Sequence, residues 1–279
     1  MGIAAEEIRG TDSTAGSARI RGAFDRASGD GRVALGPYVV AGYPDAEMSF
    51  QAAIAAIDAG ADLLEVGLPY SDPLADGATL QRASAIAIRA GATFARSLEL
   101  LGRIREARPD VPLVPMAYVN QAIGAGDPGA ALRALADAGA SGLILPDLTP
   151  DEGEPVEAAA REAGIALIYL VTPTTPTERR REIAARSGGF LYGVSLVGVT
   201  GARSSLPPEV GRFVRETRAL SPIPIAVGFG VSRPEHVRRL ARAGADGAIV
   251  ASALVDALGP DGRDVPAMAR LVAGLREAA

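Results

Sequence analysis

The run Leu63-Leu64-Glu65-Val66-Gly67 is apolar but for one glutamate, and it opens onto the loop "LPYSDPLADGATLQ", which carries Asp72 and Asp76. A carboxyl group at the end of a buried strand loses hydration, which favours its protonated form and lifts its pKa toward neutrality. That suits Glu65 to give and take a proton within one catalytic cycle. Asp76 lies eleven residues further on, so the loop must fold back over the strand end to bring it near. There it is expected to act as a fixed acceptor for a substrate N–H or O–H. Asp72, enclosed in "SDP", has the setting of a residue that caps its own turn by a side-chain to backbone bond.

The residue types that are missing narrow the chemistry further. The chain has no Cys, no Lys and no Trp, and all 28 of its basic residues are arginine. Without lysine there is no Schiff base to a carbonyl substrate and no covalent anchor for pyridoxal phosphate; without cysteine there is no thiolate nucleophile or disulfide. The single histidine, His236, sits in "RPEHVRRLARAG" and reads as an exposed helix residue, which argues against a Ser-His-Asp triad or a histidine-rich metal site. The net charge of −5, with arginines and acids alternating in the helical segments, leaves no basic footprint for nucleic acid. No apolar run approaches the roughly 18 residues of a membrane span. The first residues lack the basic and apolar regions of a signal peptide, so a soluble cytoplasmic protein is expected.

These carboxylates need a frame, and the sequence predicts one. A helix ending on glycine and followed by a short apolar strand recurs at "DAGADLLEVG", "DAGASGLILP", "EAGIALIYLV", "RSGGFLYGVS" and "RAGADGAIVA". Glycine suits the left-handed cap, and strands apolar at nearly every position belong to a parallel sheet covered on both faces. "RVALGPYVVAG", "VPLVPMAYV" and "IPIAVGFG" bring the strands to eight. Between them lie helical segments such as "PDAEMSFQAAIAAIDAG" and "TPTERRREIAARSG", the latter opening with Thr at the expected cap. Eight strands alternating with helices in about 250 residues predict a single (β/α)8 barrel of the α/β class, a TIM barrel over residues 31–279. An open doubly wound sheet is the alternative, but the glycines lack dinucleotide spacing. Residues 1–30, rich in Gly, Ser, Thr and charge, are expected to be a flexible lead-in with one short helix near Arg19 to Ala27.

In a barrel the site lies at the C-terminal ends of the strands. Three late loops there, "SLVGVTGARSS", "VGFGVS" and "VASAL", are small-residue turns leading into helices. Their backbone N–H groups suit an anion, and together they point to a phosphate monoester.

"EVGLPYSDPLADGATLQ" closely resembles the signature of the tryptophan synthase α subunit family. "PTTPTERRREIA", "GFLYGVSLVGVTGARSSLPPEV" and "AVGFGVSRPEHV" resemble that family's later blocks in the same order, from about Arg32 to the end. The resemblance implies retro-aldol cleavage of indole-3-glycerol phosphate to indole and D-glyceraldehyde 3-phosphate, without metal or Schiff base. It implies Glu65 and Asp76 as the catalytic pair, Tyr192 near the glutamate and Tyr38 against the ring. It places phosphate contacts on Gly201, Gly230 and Ser252, with Ala251 where the family has glycine, and a closing loop around Thr200. Tyr118 and Asn120 match positions near the site and the subunit contact. No cofactor is implied on this chain; pyridoxal phosphate is expected only on a β subunit, which receives the indole for L-tryptophan synthesis in an α2β2 heterotetramer. Three departures stand out: Ala251, whose turn would be strained if it needs a positive φ; "AYVNQAIGAG", without the usual Pro and Phe after Asn120; and Thr149 where proline is common. The rivals are a free-standing lyase, a neighbouring barrel such as phosphoribosylanthranilate isomerase, and a catalytically quiet chain that activates the β subunit.

Overall fold

A computed structural model describes residues 14–124, 126–194, 208–228 and 230–279. Its parallel strands are β1 (Ala34–Val40), β2 (Leu64–Gly67), β3 (Leu113–Met116), β4 (Gly142–Ile144), β5 (Ala166–Ile168), β6 (Leu170–Val171), β7 (Leu191–Val194), β8 (Ile225–Gly228) and β9 (Gly247–Val250). They form one sheet in the order β5-β4-β3-β2-β1-β9-β8-β7-β6. The two ends of that order, β5 and β6, are one stretch of chain interrupted at Tyr169, so the sheet closes on itself as the expected barrel. The interruption has a local cause. The Tyr169 N–H donates to the Ser187 hydroxyl at 3.0 Å, and the Tyr169 hydroxyl donates to Glu157 Oε1 at 2.6 Å, while the Tyr169 carbonyl still accepts from the Tyr192 N–H at 3.0 Å.

Each strand is short and almost wholly buried, as a parallel strand covered on both faces must be. Inward side chains, among them Leu63, Val114, Ile144, Ile168, Phe190, Ala226 and Ile249, fill the lumen. Outward ones pack beneath a ring of helices: α1 (Ala15–Gly29), α2 (Ala46–Asp58), α3 (Ala78–Arg89), α4 (Phe94–Ala107), α5 (Val119–Ala122), α6 (Pro128–Asp137), α7 (Pro150–Ala163), α8 (Thr177–Arg186), α9 (Pro208–Leu220), α10 (Pro234–Arg242), α11 (Ser252–Ala257) and α12 (Val265–Arg276). Side-chain caps start several of them: Thr14, Asp45, Thr93 and Asp264 accept from the N–H three residues on. α8 differs from the expectation, with Pro176 at the cap and no side-chain bond. Gly60, Gly139, Gly164 and Gly244 of the recurring pattern close their helices as expected, with positive φ; Gly189 also has positive φ, but α8 already ends in extended backbone at Ser187.

α1 extends beyond both ends of the short helix expected near Arg19 to Ala27. Its Ile20, Phe24 and Ala27 join the lumen cluster from the N-terminal end, with Phe24 against Phe190 at 5.6 Å between ring centroids. This closes the bottom of the barrel and leaves its chemistry to the opposite rim. No helix among the described residues is long and apolar enough to cross a membrane.

Candidate active site

Tyr38 and Glu65 are register partners on β1 and β2, so both project from the same face of the sheet. Their strand parity, shared with Ala34 and Leu63, is that of the lumen. Tyr192 projects from β7 on the other side. Room for the two tyrosines comes from glycines at strand ends. A Cβ on Gly67 would lie 1.7 Å from the Tyr38 hydroxyl, and a Cβ on Gly228 would lie 2.3 Å from the Tyr192 hydroxyl.

Glu65 is 1 % exposed. Its carboxyl is pushed up to about 8, first by burial and then by the charge of Asp76; the hydrogen bond donated by Tyr192 pulls the other way. Its Oε2 has no hydrogen-bond partner among the described residues, which leaves that oxygen available for a proton and a substrate atom. Asp76 is half-buried and is pushed up to about 6 by burial. Tyr38 and Tyr192 are held well above the ordinary tyrosine value, by burial first and by the neighbouring carboxylates after it, so both remain phenols. The pair of acids thus divides near neutrality: Glu65 retains its proton and Asp76 has released its own.

Asp76 reaches this position because its loop is pinned from β3. Tyr118 follows β3 and is the cap residue of α5, and its hydroxyl accepts from the Ala75 N–H at 2.9 Å. Gln81 of α3 donates to the Asp76 carbonyl at 2.9 Å, and the Asp76 N–H donates to the Pro73 carbonyl at 3.0 Å. Tyr70 stacks on Tyr118 at 5.1 Å, and Asn120 donates to the Tyr70 hydroxyl at 3.2 Å. Tyr118, buried and close to the Asp76 charge, also has a raised pKa.

The turns that carry Gly230, after β8, and Ala251 and Ser252, after β9, neighbour each other because β8 and β9 pair. β1 lies between β9 and β2, so Tyr38 stands between these turns and Glu65. Gly230 has φ +74, which glycine adopts without strain. Ala251 has φ −118, so the glycine expected there is not required and alanine fits unstrained. Thr200 and Gly201 lie outside the described residues.

Two expectations are corrected. His236 is buried, not exposed, at 3 %; it belongs to the buried stripe of α10 with Val237 and Leu240. The Asp72 carboxylate accepts from the Ser71 hydroxyl at 2.5 Å, while the turn is closed by the Asp72 backbone carbonyl, which accepts from the Leu74 N–H at 2.9 Å. The residues that sequence reasoning passed over are Gly67, Gly228, Tyr70 and Gln81. For the glycines a signal was present: each ends an apolar strand at an inward position, where a side chain would normally fill the lumen.

Comparison with known proteins accords with this geometry. Residues 24–275 match the family model described as "Tryptophan synthase alpha chain". A tryptophan synthase alpha chain from Roseiflexus castenholzii is 47% identical over 240 residues, covering 86% of this chain and 91% of the relative. One from Deinococcus radiodurans is 42% identical, with 95% and 97% covered. Among solved structures, a tryptophan synthase chain from Mycobacterium tuberculosis superposes with a TM-score of 0.85 at 38% identity, covering 93% and 97%. Such coverage and identity, on top of a barrel with paired acids at its rim, place the chain in the tryptophan synthase alpha chain family.

Proposed function

We propose that Glu65 and Asp76 carry out the α reaction of this family, the cleavage of indole-3-glycerol phosphate to indole and D-glyceraldehyde 3-phosphate. The observation that carries the proposal is a fully buried Glu65 at the barrel rim, with Oε2 unpartnered among the described residues and the Asp76 carboxyl close enough to raise its pKa. The protonated Glu65 donates its proton to C3 of the indole ring, which turns the ring into an electron sink. The Asp76 carboxylate accepts a hydrogen bond from the ring N–H, where positive charge develops. Glu65, now ionised, takes the proton from the glycerol hydroxyl next to the ring. The C–C bond then breaks: its electrons return to the ring to give indole, the alkoxide oxygen becomes the aldehyde, and Glu65 is again protonated. Tyr192 orients the glutamate by its hydrogen bond, Tyr38 packs the indole, Tyr118 holds the Asp76 loop, and Gly230, Ala251 and Ser252, with Gly201 and Thr200, take the phosphate and close over it.

The second part of the proposal concerns assembly. Leu74, on the loop that carries Asp76, is 92 % exposed, so a partner seated over that loop would cover it. A β subunit docked there, in an α2β2 heterotetramer in the cytoplasm, would receive the indole. Pyridoxal phosphate belongs on that partner, since this chain has no lysine to bind it; the α reaction itself uses no cofactor. The test is formation of both products by the purified chain, alone and with a β subunit added. Slow cleavage that the β subunit accelerates supports the proposal; fast cleavage indifferent to it would make the chain a free-standing lyase.

A further inference from the structure

His236 is the one buried imidazole of the chain, and the mechanism above does not use it. It occupies the third position of α10, whose cap, Arg233, makes no side-chain bond to the helix. From there the ring turns back along the chain: its Nδ1 accepts from the Ser232 N–H at 3.3 Å, and the Gly230 backbone lies within hydrogen-bonding reach of the ring. The helix N–H at His236 bonds the Arg233 carbonyl at 3.0 Å. The side chain and main chain of one residue therefore tie down Ser232 and Arg233, beside which Val231 is also buried.

At the third helix position the residue that ordinarily reaches back to an upstream N–H is glutamate or glutamine. Glutamate would make the same bond but would set a negative charge beside the Gly230 turn. An imidazole that accepts on Nδ1 carries no proton there and no charge. Its Nε2 is buried with no partner among the described residues. Burial, the first cause, pulls the pKa of the ring below the ordinary histidine value, in the direction that keeps it neutral, and outweighs the hydrogen bond with the Gly230 backbone, which favours the protonated ring.

We propose that His236 is a positioning residue for substrate phosphate: it locks the Gly230–Ser232 turn through an uncharged acceptor, so that the turn binds a dianion without repelling it. This rests on the assignment of the phosphate to the Gly230 and Ser252 turns.

The test compares His236→Gln, His236→Leu and His236→Glu by KM and kcat for indole-3-glycerol phosphate, and by inhibition with inorganic phosphate. His236→Gln keeps an uncharged acceptor and should stay within about twofold of the parent KM. His236→Leu should raise KM about tenfold, the size of one lost ordering hydrogen bond. His236→Glu should raise it further although its acceptor is restored, and kcat at saturation should hold in all three, with phosphate inhibition weakening in the same order. Equal rescue by Gln and Glu would reduce His236 to a structural latch and overturn the proposal, as would an unchanged KM in His236→Leu or a parallel fall of kcat and melting temperature. If the parent binds inorganic phosphate but does not cleave the substrate, the assigned reaction fails, and the dissociation constants of inorganic phosphate for the parent and the three variants, measured by calorimetry, decide the role of His236.

Discussion

Replacing Glu65 by glutamine should slow cleavage steeply and, at the same time, make the stability of the fold less sensitive to rising pH. The carboxyl is pushed from its ordinary 4.5 to about 8 in the folded chain, chiefly by burial. Below the lower value both folded and unfolded states hold the proton, and the site costs nothing. Between the two values the unfolded chain releases its proton and the folded chain does not, so stability falls as pH rises, by roughly 1.4 kcal/mol per pH unit. Above about 8 both states are ionised and the loss is complete, at about 5 kcal/mol in total. Glutamine has the same shape and cannot titrate. Any constant cost of burying its amide drops out when the two proteins are compared across pH. Urea unfolding of the parent and of Glu65→Gln should therefore show a stability difference that shifts by about 3.5 kcal/mol in favour of the variant between about pH 5 and pH 8. Cleavage should fall by about a hundred- to ten-thousand-fold, the usual worth of a general acid–base group. A stability difference that does not change with pH would refute the raised pKa of Glu65, and with it the proton inventory of the mechanism.

Other consequences are equally direct. Gly67→Ala and Gly228→Ala each drive a methyl into a tyrosine hydroxyl; each should lower stability by about 1–3 kcal/mol and displace Tyr38 or Tyr192, which melting temperature and kcat will report. Tyr118→Phe keeps the stack on Tyr70 but removes the acceptor of the Ala75 N–H, so kcat/KM should fall about tenfold as the Asp76 loop loosens. Tyr192→Phe removes the hydrogen bond that holds the pKa of Glu65 down; the alkaline limb of the pH–rate profile should move to higher pH.

Legibility in the sequence followed the range of the interactions involved. The helix-glycine-strand pattern is local, and the positive φ of Gly60, Gly139 and Gly244 follows from it directly. Glu65 was identifiable because it interrupts an apolar strand at its end, whereas Tyr38 and Tyr192 were singled out only through the family resemblance. The placement of Asp76 was only a requirement at that stage, since the residue that pins its loop, Tyr118, comes from a different strand, 43 residues from Ala75. The break at Tyr169 depends on Ser187 and Glu157, neither adjacent in sequence. His236 was misread because its neighbours in sequence, Glu235 and Arg238, are solvated, while the buried stripe of a short helix is narrow enough to include a single polar residue.

The most direct test of the account is the pH dependence of kcat/KM for indole formation from indole-3-glycerol phosphate by the purified chain. An ionised Asp76 and a protonated Glu65 are both required, so the profile should be bell-shaped, rising near 6 and falling near 8. A profile flat across that interval, or a Glu65→Gln rate within about tenfold of the parent, would contradict the assignment of the reaction to these two carboxyls.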